Sequence, residues 1–150
     1  MISTKGRYAL RVMLDLAQQD PNCFTPLDEI ASRQGISKKY LEIILKVLVQ
    51  EKLLKGLRGK GGGYKLTRLP QSYTVGEILE LTEGSLATVA CLQADTELCE
   101  RADTCLTLPM WKQYDKMVHD FFYQITLEDL LNGKITADPN NMWFSRTRLV

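Results

Sequence analysis

Two short helical patterns meet at Gln34-Gly35-Ile36-Ser37, and this junction constrains the fold more than any other stretch of the 150-residue chain. Gly35 suits the left-handed conformation that closes a helix. Ser37 suits the N-cap of the next one, because its hydroxyl can accept from a backbone amide left free in the first turn. Two short helices joined by so tight a turn form a helix-turn-helix signature. The helix before the junction is predicted to start at Thr25-Pro26, with Thr25 as cap and Pro26 in the first helical position. Leu27, Ile30 and Ala31 form its inner face. The helix after it spans about 38–51, with Leu41, Ile44, Leu45, Leu48 and Val49 as the inner stripe. Lys38, Lys39, Tyr40 and Glu42 are then left on the outer face of the first turn and a half. In this motif those positions meet base edges in the major groove. Lys38 and Lys39 can hold phosphate or guanine. Glu42 can accept from a cytosine amino group and would repel phosphate elsewhere. The plain alternative is an amphipathic helix with a solvated face.

The flanking segments argue against that alternative. Residues 4–18 carry Ala9, Val12, Met13, Leu16 and Ala17 at helical spacing, and Asp20-Pro21-Asn22 stops the pattern. Cys23 follows in the connecting loop, where a small loop or core residue is expected. After the third helix, Leu53–Leu57 and Tyr64–Thr67 read as two short strands. Between them lies Arg58-Gly59-Lys60-Gly61-Gly62-Gly63, a tip that can approach another backbone closely. A hairpin in this place is the wing of a winged helix. Arg58 is placed to enter a minor groove and Lys60 to meet phosphate. The tip lacks the GxxxxGK[ST] order and precedes a strand, so it is not a nucleotide-phosphate loop.

Charge divides the chain at the same place. Residues 1–69 carry 13 Lys and Arg against 6 Asp and Glu, a balance of +7. Residues 70–150 carry 6 against 12, a balance of −6, and the two sum to the net +1. A basic head on an acidic body fits a polyanion-binding module with a separate second function. The expected organisation is a DNA-binding head over 1–69, a cysteine loop and long helix over 70–131, and a C-terminal tail over 132–150. The fold class is mostly α with a small β-hairpin wing.

In the body, 74–82 read as a helix capped by Thr74, with Ile78, Leu79 and Leu81 inward and Gly84-Ser85 at its end. Cys91, Cys99 and Cys105 follow within one loop, flanked by Asp95, Glu97, Glu100 and Asp103. Residues 107–125 carry the longest helical pattern. Trp111, Tyr114, Val118, Phe121 and Ile125 alternate three- and four-residue steps, widened by Met110, Met117 and Phe122. A symmetry mate covering that seam would make a two-fold homodimer; packing on the chain's own head is the other way to cover it. Residues 126–133 add a short helix ended by Gly133, and the remainder has no periodicity, with Trp143 and Phe144 as candidate anchors.

No apolar run is long enough to span a bilayer, and the N-terminus lacks a signal-peptide layout. A cytoplasmic protein without a membrane partner is expected. In a reducing compartment clustered cysteines are metal ligands or redox groups before they are structural disulfides.

STKGRYAL at the N-terminus, RQGISKKYLE at the recognition helix, LRGKGGGYKL at the wing, the three loop cysteines and ITLEDLL beyond the long helix occur in order. Together they resemble the iron–sulfur cluster regulator (IscR/NsrR/CymR-type) family of bacterial winged-helix repressors, over roughly residues 2–131. The resemblance implies a homodimer that binds a near-palindromic double-stranded operator through two heads, and the apolar pattern over 107–125 makes that helix the expected dimer seam. It implies no enzymatic activity. It also maps Cys91, Cys99 and Cys105 onto the ligands of an iron–sulfur cluster, 2Fe–2S ahead of 4Fe–4S. Thiolates are the preferred protein ligands for such clusters. Two departures stand out. Leu108 occupies the place where IscR-type members carry a histidine, and residues 2–8 contain none of the acids used by NsrR-type members. His119 lies eleven residues beyond Leu108, about 16 Å along a helix. Cys23, a loop acid, water or a small thiol are the remaining candidates for a fourth ligand. The competing readings are a DNA-binding repressor controlled by a protein partner without a cluster, a thiol-exchange protein, and a structural zinc protein. Thiol exchange lacks a CxxC pair, and zinc lacks the close cysteine pairs of a ribbon.

Overall fold

A computed structural model describes residues 2–93 and 99–135. The elements run α1 (Thr4–Ala17), α2 (Leu27–Gln34), α3 (Lys38–Gln50), β1 (Leu54–Leu57), β2 (Gly63–Leu66), α4 (Val75–Glu83), α5 (Leu108–Gln124) and α6 (Leu127–Leu131). The two strands pair antiparallel, with Leu54 opposite Leu66 and Leu57 opposite Gly63. The expected class, helical with a hairpin wing, is the class observed.

The junction that governs the head behaves as its chemistry demands. Gly35 closes α2 in the left-handed region at φ 63°, and Ser37 caps α3 by accepting from the Tyr40 amide at 3.4 Å. Ile36 between them is buried. The stripe of Leu41, Ile44, Leu45 and Leu48 is fully buried against Ala9, Val12, Met13 and Ile30. Each such side chain contributes roughly 1.5–3 kcal/mol relative to an exposed position.

Thr25 departs from its expected role. Pro26, not Thr25, occupies the cap position of α2, without a side-chain cap. Thr25 is instead a one-residue third strand: its amide donates to the Tyr64 carbonyl at 2.9 Å, and its carbonyl accepts from the Tyr64 amide at 2.9 Å. The ladder won because Gly63, at φ 155°, lets the backbones meet; a β-carbon there would run into the Thr25 carbonyl.

The head's core is completed from beyond residue 69. Tyr73, Ile78 and Leu127 join the cluster built by α1 to α3. Tyr73 is fully buried, and its hydroxyl serves four partners. It accepts from the amides of Thr67 (2.9 Å) and Arg68 (2.8 Å), donates to the Leu53 carbonyl (2.8 Å) and meets the Thr67 hydroxyl (3.0 Å). This residue fastens the root of the wing to α4. Asp15, also buried, receives Arg33 through two nitrogens at 2.9 and 2.8 Å and Gln34 at 2.9 Å, which fixes α2 on α1.

α4 lies between head and α5. Thr74 caps it by accepting from the Glu77 amide, as expected, and Gly84 ends it at φ 83°. Thr82 is buried beside Ile78 and Leu79, whereas Leu81 is half-buried. At the α4–α5 joint the Tyr123 ring lies directly over Gly76, and its hydroxyl donates to Glu80. Burial and that carboxylate push the Tyr123 hydroxyl up to about 12. The Val75 amide donates to the Ile125 carbonyl at 2.8 Å. Thr126 and Asp129 cap α6 reciprocally, because the ITLED sequence supplies both partners of a capping box.

The predicted helical seam needs a correction. No residue of α5 is fully buried. Trp111, Val118 and Phe122 are half-buried against the chain's own body, and Ile125, past the end of the helix, is buried with Val75 and Leu79. The uncovered stripe is Met110, Tyr114, Met117 and Phe121, each 50–63% exposed. The helix carries two apolar faces about a hundred degrees apart, and α4 takes one. Residues 136–150, including Trp143 and Phe144, lie outside the described residues.

Candidate nucleic-acid interface and cysteine segment

The outer face of α3 presents Lys39, Glu42, Ile43, Lys46 and Gln50, all exposed and three or four residues apart along the helix. Glu42, Lys46 and Gln50 line one side of a groove of about 300 Å³, and Leu57, Arg58 and Tyr64 of the hairpin line the other. The structure therefore brings Glu42 and Arg58, drawn from separate motifs, to the two walls of one groove. Lys60 sits exposed in the tip, where Gly59 and Gly61 adopt φ of 93° and 75° and the Gly62 amide closes the turn on the Gly59 carbonyl at 2.9 Å.

Two expected contact residues have additional partners. Lys38 pairs with Asp28 of α2 at 2.8 Å, both side chains being mostly exposed. An exposed pair of this kind contributes little and opens readily to a phosphate. Tyr40 is half-buried, its ring edge-on to Tyr8 at 5.9 Å, and Arg11 lies over Tyr8 at 5.1 Å. Arg11 also donates to the Gln34 carbonyl at the end of α2. Tyr40 thus seats the start of α3 against α1. The sequence reading stopped at Glu42 and missed Ile43, Lys46 and Gln50. The signal was present: stepping four residues from Glu42 gives Lys46 and then Gln50 on the same face.

The three loop cysteines are free thiols between α4 and α5; Cys91 and Cys99 are exposed and Cys105 half-buried. Cys91 sits in a 3-10 turn over Ala90–Leu92, and Cys105 ends another over Ala102–Thr104. Cys105 precedes the first turn of α5. The Thr107 hydroxyl, at 3.4 Å, and the amides of Thr107 and Leu108 hold its thiol below the ordinary range, which favours the thiolate that binds metal. The strand of chain entering Cys91 is tied to α5, since the Thr88 amide and hydroxyl both donate to Asp115, at 2.8 and 3.2 Å. Among the described residues no three cysteine, histidine or acidic side chains converge as a metal site. The donor chemistry of the three thiols fits an iron–sulfur cluster. Glu100 and Asp103 are exposed, and Asp95 and Glu97 lie outside the described residues. Cys23 is exposed in another part of the head, where its thiol donates to Asp20 at 3.5 Å and is pushed up by that carboxylate. His119 is exposed on α5 and stacks on Tyr123 at 4.2 Å.

No helix among the described residues is long and apolar enough to cross a membrane. Residues 2–133 match the Rrf2 family, described as an iron-dependent transcriptional regulator. The chain is 36% identical over 137 residues to the HTH-type transcriptional regulator IscR of Pectobacterium carotovorum, covering 91% of this chain and 82% of the relative. Among solved structures it is similar to CymR, the global cysteine regulator of B. subtilis, at 34% identity with a TM-score of 0.71, covering 89% of this chain and 97% of that one. It is also similar to T. potens IscR, at 32% identity with a TM-score of 0.69, covering 92% and 93%. A winged head, a groove between recognition helix and wing, and these likenesses lead to one conclusion: the chain belongs to the Rrf2 family of DNA-binding transcriptional regulators.

Proposed function

We propose that this regulator is a dimeric repressor whose operator affinity is set by an iron–sulfur cluster held by Cys91, Cys99 and Cys105. The head over residues 1–69 reads DNA. Lys38, Lys39 and Lys60 neutralise phosphates, Glu42 accepts from cytosine, Arg58 enters the minor groove and Tyr40 positions the helix that carries them. The observation that carries the cluster reading is the set of three unpaired thiols on the segment leading into α5, one of them already biased towards thiolate. That segment is tied to α5 through Asp115, and α5 presents the uncovered apolar stripe. Ordering the thiols around a cluster would therefore be linked to how two α5 helices meet, and through them to how two heads are presented. Bound, the group supplies a redox- and ligand-sensitive centre; the chain supplies the thiolates and the coupling.

A second reading, a cluster-free regulator controlled by a protein partner, is favoured by Leu108, which stands where the resemblance puts a cluster-ligating histidine. One experiment separates the two. Protein purified without oxygen should be coloured, with iron and acid-labile sulfide in equal amounts. Each of Cys91→Ala, Cys99→Ala and Cys105→Ala should lose the chromophore, and Cys23→Ala should keep it. Colourless wild type with intact operator binding would leave the partner-controlled reading standing; bound zinc in its place would favour the structural-metal reading. For the head, Lys39→Ala should lower the salt slope of binding by about one, and Arg58→Ala should weaken operators with a narrow minor groove most.

A further inference from the structure

Ile43 is the anomaly of the DNA-facing surface. It lies in the second turn of α3 and is 50% exposed, while its neighbours on the same face are Lys39, Glu42, Lys46 and Gln50. The buried stripe of α3 is already complete with Leu41, Ile44, Leu45 and Leu48. Packing inside the chain therefore gives no reason for a large branched side chain here. Isoleucine offers no hydrogen bond to phosphate, sugar or base. Its one favourable contact in a major groove is apolar, and the groove has one apolar feature, the C5-methyl group of thymine.

We infer that Ile43 determines sequence specificity by packing on a thymine methyl group, one base pair in each half-site. The inference rests on the DNA-reading role of α3. The adjacent Glu42 carboxylate accepts from a cytosine amino group, so the Glu42–Ile43 pair reads pyrimidines: an amino group with one side chain and a methyl with the next. Side chains of successive helical residues diverge by about a hundred degrees, so the two reach neighbouring rather than identical base pairs. Each half-site then carries a cytosine and a thymine in close succession.

The test starts from operators selected from random DNA by the wild-type dimer. Every thymine of the selected consensus is replaced singly by deoxyuridine, which removes the methyl group and nothing else. One position per half-site should weaken wild-type binding about fourfold, the worth of one buried methyl group. Ile43→Ala, an exposed change that leaves the core intact, should bind the thymine and uracil operators equally. Ile43→Gln should enrich a different base at that position. If no uracil replacement weakens the wild type, or if the loss persists unchanged in Ile43→Ala, the inference is overturned while DNA reading stands. A wild type that enriches no sequence overturns both.

Discussion

At the scale of single residues, the hydrogen-bond economy of buried groups decides most of what matters here. The Tyr73 hydroxyl satisfies two amides, a carbonyl and a hydroxyl at the root of the wing, with Arg68 stacked over its ring at 4.2 Å. Tyr73→Phe keeps the packing but strands those groups, so unfolding should become easier by about 1–3 kcal/mol. Urea denaturation measures the loss, and an unchanged midpoint would mean that water replaces the hydroxyl. Neither Tyr73 nor Asp15 was legible in the sequence. A tyrosine between a turn and a helix, or an aspartate inside an amphipathic helix, looks solvated until the partners from distant segments are known. The residues that were legible, Gly35, Ser37, Thr74 and Gly84, all act on their own backbone within four residues. Ile43 and Lys46 were missed for a different reason: helical periodicity marks the outer face but not how far along it a duplex would reach.

At the scale of elements, caps and joints carry the sensitivity to conditions. Lys134 and Thr126 hold Asp129 down from 3.8 to about 2. Its carboxylate therefore favours the folded state above pH about 4, and that contribution is lost as pH falls from about 4 towards about 2. Protection of the α6 amides, taken relative to their intrinsic exchange rates, should fall across that window, and Asp129→Asn should remove this pH dependence along with the capping box. The joint of α4 with α5 is the more brittle part. Gly76→Ala would drive a methyl group into the Tyr123 ring, overpacking that typically costs about 1–3 kcal/mol. Melting should shift down and α5 should lose exchange protection before the head does. The sequence showed both helices but not this joint, because a glycine one position into a helix has no local signature of the ring that needs it. The same blindness left open what covers Val118, a partner or the chain's own body: α5 has two apolar faces, and only the packing of α4 tells which one the chain itself takes.

At the scale of the whole molecule, the exposed stripe of Met110, Tyr114, Met117 and Phe121 has the spacing of a helix–helix seam. In the proposed dimer Met117→Glu with Phe121→Glu would bury two unpaired charges at the interface, at a cost of several kcal/mol. Sedimentation should then show monomers at concentrations where the wild type is dimeric, and operator affinity should collapse with the head still folded. A wild type that sediments as a monomer would remove the dimer from the proposal. The charge division is visible at this scale as well: the cations belong to α1, α3 and the wing, whereas Glu77, Glu80 and Glu83 lie together on α4.

Side-chain hydrogen bonds fasten α5 to α4 through Tyr123 and Glu80, and α4 to the start of α1 through Glu83 and Ser3. In the proposed dimer each arrangement of the two α5 helices would set one span between the recognition helices, and in that arrangement the protein would act as a ruler laid along the duplex. Each base pair added between half-sites would turn one of them by about a tenth of a circle. A five-base-pair insertion would set the second half-site on the far side of the DNA, where a rigid body cannot follow. Footprinting on such operators should show one half protected and the other bare. Gly76→Ala, by loosening the joint, should trade some affinity for tolerance of the wrong spacing.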